Sequence, residues 1–218
     1  MKYLLLITML LGAAFSAQAF SPVVTEITQP YEIITLDNEP EIQQQYLGDL
    51  QNYPVMYEIT SEEDFALRVN ISQYTGGDEL TPFSLIAIRK NDRGGGVTEV
   101  GRLRFNADSW TSQRDSVLGM TMWSSADFVQ AVGPGTYRIE ISTPENQGKY
   151  LISFGSGDSA GGYFASLAGV RTTHQFYGYS IIKMLASSLV YYPLGILLLL
   201  FIMHRTWKYR ALITKNVD

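Results

Sequence analysis

One short motif in this chain has the residue types of a nucleophilic site. Gly157-Asp158-Ser159-Ala160-Gly161-Gly162 follows an apolar segment, and a serine on a sharp strand-to-helix turn can act as a nucleophile. That chemistry also needs an oxyanion hole and a later histidine and acid. The two histidines, His174 and His204, both lie beside a long apolar segment. A serine hydrolase using Ser159 is therefore a remote alternative, and the chain is predicted not to be an enzyme.

Two tryptophans form the other group with binding chemistry. Trp110 and Trp123 have polar neighbours, and Arg114 lies between them in the sequence. An exposed indole ring beside polar groups can bind the flat face of a sugar or a residue of a protein partner. Tryptophan is also highly buried on average, so the core of the domain is the competing place for one or both rings. These three residues are the predicted binding surface, and a glycan is one candidate partner.

Composition limits the other kinds of site. The chain has 218 residues and no cysteine, which excludes disulfides, thiolate nucleophiles and cysteine-ligated metals. No cofactor or metal site is predicted. Residues 20–203 carry 20 acidic and 11 basic side chains, a net charge of −9. Such a domain is a poor candidate for binding nucleic acid or anionic lipid headgroups, because it lacks surplus cations to replace their counterions.

The first segment of the chain has the features of a targeting signal. Residues 1–19 have one basic residue, Lys2, then a short apolar stretch, and they close on Ala17-Gln18-Ala19. This order is typical of a cleavable secretory signal peptide. The sequence therefore predicts an exported domain from residue 20 onward, in the periplasm or another extracytoplasmic space.

A second apolar segment predicts one membrane span. Residues 184–203 carry no charge, and a helix of this length reaches about 30 Å, the thickness of the hydrocarbon core of a bilayer. Pro193 and Gly195 interrupt the segment and mark a kink or a contact with a partner helix. The residues predicted to anchor the span in the bilayer are Phe176, Tyr177, Tyr179, Lys183, Arg205, Trp207, Lys208 and Arg210.

The charges around this segment predict its orientation. Residues 204–218 form a short basic tail, which the positive-inside rule places in the cytoplasm. A cleaved signal gives the same orientation, with the domain outside. The predicted location is the cytoplasmic membrane of a bacterium, as a single-pass type I protein.

Between signal and span, the hydrophobic pattern is that of strands. Residues 65–71, 137–141 and 150–154 alternate apolar and polar side chains, so one face of each is expected in a core. The last two are predicted to pair as a hairpin. Residues 83–90 and 97–105, joined by a glycine-rich loop, predict another hairpin, with 83–90 as a central strand.

Weaker patterns complete the domain. Further strands are predicted over 31–36, 55–60 and 117–122, while the Glu- and Gln-rich residues 37–50 indicate a short helix or a loop. About eight short strands without a long amphipathic helix predict an all-β fold, an antiparallel, jelly-roll-like β-sandwich over residues 20–155. Residues 156–183 are predicted to be a Gly/Ser linker and juxtamembrane segment, in which the small and apolar residues 163–170 indicate a short helix.

One part of the sequence resembles a known family. Gly133-Pro134-Gly135-Thr136-Tyr137 begins one predicted strand, and Gly148-Lys149-Tyr150-Leu151 begins the next. Residues 133–154 resemble the closing hairpin of bacterial pre-peptidase C-terminal-type β-sandwich domains. The resemblance implies a small sandwich that assists an exported protein, and it implies no catalytic residue.

These observations predict a membrane-anchored, non-catalytic binding or accessory protein. Its expected partners are the lipid bilayer and a protein of the membrane or envelope, but not nucleic acid. The principal alternative is a glycan- or envelope-binding module that uses an exposed tryptophan.

Overall fold

The structure is a computed structural model that describes residues 20–215, except 28, 31, 37, 38, 77, 92–94 and 158–160, and except the side chains of 211–215. The predicted signal peptide and Ser159 lie outside the described residues. So does Tyr31, the first residue of a predicted strand.

Twelve strands form two sheets within the described ranges. Sheet A runs in the order β1 (Val23–Thr25), β3 (Gln44–Gln51), β12 (Gln147–Phe154), β5 (Phe65–Gln73), β9 (Met120–Ser124) and β8 (Thr111–Asp115), and β10 (Phe128–Val132) also pairs with β5. Sheet B runs in the order β2 (Ile33–Thr35), β4 (Val55–Ser61), β11 (Gly135–Ser142), β6 (Ser84–Lys90) and β7 (Val97–Leu103). A short 3₁₀ turn, Ala107–Ser109, precedes β8.

The two sheets pack face to face, which confirms the predicted β-sandwich. Neighbouring strands are antiparallel except at two edges, where β1 lies parallel to β3 and β2 lies parallel to β4. The predicted hairpin of β6 and β7 is confirmed, and β6 is an interior strand of sheet B. Alternate residues of the strands point inward and form one core between the sheets.

A pair of tyrosines bridges the two sheets inside this core. The hydroxyls of Tyr57 on β4 and Tyr150 on β12 lie 3.1 Å apart and share a hydrogen bond, and Thr25 Oγ1 lies 3.5 Å from the Tyr57 hydroxyl. Both rings are fully buried. Gly48 makes room for the Tyr150 ring, since a Cβ there would lie 2.3 Å from Tyr150 Cζ. The buried hydroxyls are thereby satisfied without water.

The predicted hairpin of residues 137–141 and 150–154 is wrong. β11 pairs with β4 and β6 in sheet B, whereas β12 pairs with β3 and β5 in sheet A. The loop between them therefore crosses from one sheet to the other. Alternation of apolar and polar residues shows only that each strand buries one face. Two strands that face each other across the core have the same alternation as two strands that are hydrogen-bonded side by side in one sheet.

The interpretation of residues 37–50 as a helix or loop is also wrong for its second half, which is β3. This strand is buried on both faces: Tyr46 and Leu50 enter the core between the sheets, and Leu47 packs on the opposite face of sheet A. Burial on both faces removes the apolar-polar alternation that identifies an ordinary strand.

A layer of helices covers the outer face of sheet A. Helix α1 (Tyr163–Phe176) leads to a 3₁₀ helix (Ile181–Ala186) and then to helix α2 (Ser188–Lys215). A second hydrophobic cluster, separate from the core, joins this layer to the sheet; its buried members are Phe20, Leu47, Leu118, Met120, Met122, Leu151, Val170, Met184 and Leu189. The molecule therefore has three layers rather than two.

This layer corrects the predicted linker over residues 156–183, and the short helix predicted over 163–170 extends to Phe176. From Tyr163 onward the segment is helical and packed: Val170 and His174 are buried against the sheet. The Phe20 amide donates a hydrogen bond to Ser166 Oγ at 3.1 Å, and Gly169 allows the Phe20 carbonyl to pass close to α1. Apolar contacts on both sides hold the segment, which a flexible linker would lack.

The apolar helix has different bounds from those predicted. Residues 184–187 precede it, and Met184 is buried in the second cluster. The part long and apolar enough to cross a membrane is Ser188–Arg210, 23 residues whose side chains are largely exposed. At about 1.5 Å per residue it reaches about 34 Å.

The tyrosine pair predicts an alkaline limit to stability. Burial raises the pKa of Tyr57 to about 12 from its ordinary 10.0, because the charged phenolate would lose its hydration. Below pH 10 the tyrosine is protonated in both the folded and the unfolded chain, and its full contribution to stability is present. Above pH 10 the unfolded chain loses this proton first, so the contribution is lost as the pH rises through 12. We expect the free energy of unfolding of the detergent-solubilised chain to fall across this window by up to about 2–3 kcal/mol from this group.

Denaturant titrations at a series of pH values measure this effect. Tyr57→Phe should flatten the alkaline loss, while Tyr53→Phe, at an exposed position, should leave it unchanged. The same alkaline slope in the Tyr57→Phe and unmodified chains would contradict the assignment.

Candidate functional site at the base of the apolar helix

The turn between β8 and β9 is inserted into the helical layer. Asp115 begins the turn, and its Oδ1 accepts hydrogen bonds from the amides of Val117 at 2.8 Å and Leu118 at 2.9 Å. The Gly119 amide donates to the Asp115 carbonyl at 2.7 Å. An aspartate that bonds backbone amides two and three residues ahead holds a tight turn. The Leu118 side chain at its tip is fully buried. The residue 117–122 strand predicted from sequence therefore begins only at Met120.

Three consecutive carbonyls of this turn accept hydrogen bonds from the helical layer. Ser116 O accepts from the Ser188 amide at 2.8 Å. Val117 O accepts from Ser187 Oγ at 2.5 Å. Leu118 O lies 2.7 Å from His174 Nε2 and accepts a hydrogen bond from the Nε2–H group, since a carbonyl cannot donate.

Ser187 also caps the start of the apolar helix. Its Oγ accepts from the Leu189 amide at 3.3 Å, while the same hydroxyl donates to the turn. A serine N-cap satisfies one of the free amides at a helix start. The start of α2 is therefore fixed to sheet A by side-chain and backbone bonds together.

Gly119 allows the turn to approach the helical layer this closely. Its φ is +70°, and a Cβ there would lie 2.4 Å from the carbonyl carbon of Ala186. Both the backbone conformation and the contact require a residue without a side chain.

The chain itself compensates for Pro193. Proline has no amide hydrogen, so the carbonyl of Leu189, four residues earlier, loses its helical donor. The hydroxyl of Tyr163 on α1 donates to this carbonyl at 2.6 Å. Helix α2 continues through Pro193 as one helix from Ser188 to Lys215. The predicted contact of Pro193 and Gly195 with a partner helix stays a prediction; within the chain, an ideal Cβ at Gly195 contacts nothing within 4 Å.

Exposed apolar side chains surround the base of α2. Ile181, Ile182 and Leu185 on the 3₁₀ helix are 66%, 71% and 54% exposed, and Phe164 at the start of α1 is 81% exposed. We call these four residues the apolar collar. Large exposed apolar groups beside an apolar helix are typical of a surface that contacts a membrane or a partner. The collar was not predicted from the sequence, because a short 3₁₀ helix has no long periodic pattern of apolar residues.

A cavity of ≈ 380 Å³ lies between the β8–β9 hairpin and the helical layer. Residues from distant parts of the sequence line it, and those with an aromatic ring or a positive charge are Tyr74, Arg114, Trp123, His174, Tyr179 and Lys183. Tyr179 donates a hydrogen bond to Tyr74, and the Lys183 ammonium lies 5.3 Å from the centre of the Tyr179 ring. The cavity thus combines two cations with aromatic walls.

The predicted binding surface is divided by the structure. Trp110 is only 6% exposed and belongs to the core between the sheets, so its assignment to a binding surface is wrong. Its ring packs near Phe105, with centroids 6.2 Å apart. Trp123 and Arg114 both line the cavity. Strand pairing opposes Arg114 to Thr121 and Ser112 to Trp123, which brings the two residues to the same hairpin.

The residues predicted to anchor the outer end of the membrane span lie in two different environments. Phe176 and Tyr177 pack against sheet A within the second cluster, and Lys149 of β12 donates to the Phe176 carbonyl at 2.8 Å. Burial of the Tyr177 hydroxyl raises its pKa. Tyr179 and Lys183 line the cavity. Phe176 and Tyr177 therefore hold α1 to the sheet, while the collar has the exposed apolar surface they were expected to provide.

The anchors predicted for the other end lie on exposed turns of α2. The Arg205 guanidinium lies 5.7 Å from the Phe201 ring centre and 5.8 Å from that of Tyr209. Trp207, Lys208 and Arg210 are exposed as well. Their placement in a membrane interface stays a prediction.

The serine motif can be placed only at its ends. Asp158, Ser159 and Ala160 lie outside the described residues. Gly157 forms a bridge with Ile42. His174 is buried with its Nε2 bonded to Leu118 O, and His204 lies on the exposed face of α2.

Gly119→Ala should loosen the helical layer without unfolding the sandwich. The added Cβ collides with Ala186, and the positive φ adds about 1 kcal/mol of strain. We expect faster amide hydrogen exchange over residues 163–190, with strands β4 to β6 unchanged. Gly95→Ala is the matched control, because Gly95 has φ +66° but nothing within 4 Å of its ideal Cβ. Equal exchange in the two variants would contradict this role for Gly119.

Tyr163 and Pro193 should show coupled effects on stability. Tyr163→Phe leaves the Leu189 carbonyl without its donor and should cost about 1 kcal/mol. Pro193→Ala restores an amide hydrogen, so the same Tyr163→Phe change should cost less in that background. Thermal melting of the four chains in detergent measures the coupling. Additive effects would show that Tyr163 does not replace the missing amide.

Comparison with known proteins gives structural likeness alone. No protein-family model matches the chain, and no curated protein matches it. The pre-peptidase C-terminal domain of a collagenase from Bacillus anthracis is similar at 11% identity and a TM-score of 0.36, over 59% of this chain and 98% of that domain. The Yersinia pseudotuberculosis-derived mitogen is similar at 13% identity and a TM-score of 0.34, over 55% of this chain and 89% of its own. A pre-peptidase C-terminal domain, the kind of domain that the sequence is predicted to resemble, is therefore among the similar structures. The fold assignment rests on the strand order of the two sheets.

Proposed function

We propose that this protein is a single-pass, membrane-anchored, non-catalytic accessory protein that holds a β-sandwich at a fixed orientation on the outer side of a bacterial cytoplasmic membrane. Its partner is a protein of the membrane or envelope. The observation that carries the proposal is the junction of the β8–β9 turn with the base of α2.

The junction supports an accessory role because it fixes orientation. A domain on a flexible tether samples all directions, whereas three bonded carbonyls and the buried Leu118 hold this sandwich to the start of α2. Fixed orientation is useful to a subunit that presents a surface to a neighbour in the same membrane. The apolar collar supports insertion of the junction into the outer interface.

A glycan-binding module is the second candidate, and Trp123 is the observation that favours it. This ring is partly exposed and lines the cavity, whereas Trp110 is buried. In this candidate function, the glycan binds to a platform made of the Trp123 ring and the neighbouring tyrosines, without Trp110.

Single-cysteine labelling tests the membrane topology, and the chain has no native cysteine to remove. Val97→Cys places a thiol on an exposed strand of the sandwich, and Lys208→Cys places one beyond the apolar segment. A membrane-impermeant maleimide should label the first in intact spheroplasts and the second only after permeabilisation.

The same variants test the orientation, the membrane insertion and the accessory role separately. Labelling of Lys208→Cys in intact spheroplasts would reverse the orientation, and release of the chain by alkaline carbonate would end the membrane assignment. Cross-linking from Val97→Cys in native membranes should give one reproducible adduct with another protein. A chain that stays monomeric and without adducts would contradict the accessory role.

A further inference from the structure

We propose that the cavity at the base of α2 binds the headgroup of a membrane phospholipid that carries both a phosphate and a free hydroxyl, phosphatidylglycerol being the simplest. This inference rests on the proposed membrane anchoring. It adds a ligand to the site.

The first support is local charge. Arg114 and Lys183 line the cavity, and no carboxylate is among the described residues that line it. The nearest acidic neighbour in sequence, Asp115, directs Oδ1 to the amides of its own turn. At physiological salt, exposed charges are screened over about 8–10 Å, so the residues that line the cavity contribute most to its local charge. The cavity is therefore a cationic place on an acidic domain, and a phosphate is the anion that such a pair binds well.

The second support is a buried ring nitrogen. His174 is 2% exposed and lines the cavity. Because Nε2 carries the proton that Leu118 O accepts, Nδ1 of the neutral ring has a lone pair. Among the described residues, Nδ1 is buried without a hydrogen-bond partner. A buried acceptor without a donor is costly, and a ligand hydroxyl that reaches Nδ1 from the cavity would satisfy it.

The third support is the position of the cavity relative to the membrane. Lys183 lies on the 3₁₀ helix between the exposed Ile182 and Leu185 of the collar. Arg114 lies on the β8–β9 hairpin, whose turn accepts the hydrogen bond from the Ser188 amide in the first turn of α2. If the collar enters the outer leaflet, both cations lie at the depth of the lipid phosphates. Charge, hydroxyl acceptor and depth together favour a lipid headgroup over a soluble glycan.

Native mass spectrometry of the full-length chain in a polyoxyethylene detergent tests the proposal. Dioleoylphosphatidylglycerol should be retained about tenfold better than dioleoylphosphatidylcholine, whose headgroup has no net charge. The variant Arg114→Gln with Lys183→Gln should lose this preference. The matched control is Arg104→Gln with Arg171→Gln, which removes two exposed cations outside the cavity and should behave as the unmodified chain.

A comparison of ligands tests the role of His174 without a variant that risks misfolding. Phosphatidylmethanol has the charge of phosphatidylglycerol but no headgroup hydroxyl, so it should bind several-fold more weakly. Equal retention of the two lipids would overturn the assignment of Nδ1 as the hydroxyl acceptor.

Other outcomes would overturn the lipid assignment itself. These are equal retention of phosphatidylcholine, an unchanged preference in the Arg114 and Lys183 variant, and displacement of the lipid by millimolar glycerol phosphate or by a neutral oligosaccharide. Displacement by glycerol phosphate would identify a soluble phosphate ester as the ligand. A chain that labels as a membrane protein but shows no headgroup preference fails this inference alone, whereas one that does not insert fails both proposals.

Discussion

The contact on which the rest of the structure depends is the bonding of three successive carbonyls in the β8–β9 turn to His174, Ser187 and Ser188. Carbonyls at the tip of a surface turn normally bond water. Here they are withdrawn from water by the helical layer, so each needs a donor from the protein. The donors come from α1, from the serine that caps α2 and from the first amide of α2. One turn therefore fixes both helices.

The helical layer also explains the composition of sheet A. A two-layer sandwich has one solvated face on each sheet, and sheet B follows this rule, with Glu58, Arg138 and Lys90 forming ion pairs on its outer face. Sheet A instead has Leu47, Leu151 and Met122 on its outer face, in contact with the second cluster. In a sandwich without the helical layer, these apolar side chains would form an exposed patch that promotes aggregation. Here α1 covers them, and their burial holds α1 to sheet A.

The sequence was informative where one physical rule acts alone. Strands β5, β6 and β11 follow the alternation or the apolar run expected of their burial, and the uncharged segment around α2 follows from length and hydropathy. β3 was missed because it is buried on both faces and begins with glutamines, of which Gln44 is buried and accepts a bond from the Tyr46 hydroxyl. The pairing of β11 and β12 was wrong because alternation does not distinguish a strand beside another from a strand across the core.

The cavity shows why a site of this kind escapes sequence patterns. Tyr74 and Tyr179 are 105 positions apart and share a hydrogen bond, and His174 reaches Leu118 across 56 positions. No spacing rule joins residues that meet only because a turn enters a helical layer. Gly119 both lines the cavity and packs against Ala186, so the shape of the cavity depends on the seating of the turn. A force that tilts α2 acts on Ser187 and Ser188, which hold that turn, and must therefore act on the cavity as well. By the reciprocity of linked equilibria, a ligand in the cavity would stabilise one tilt of the helix over others.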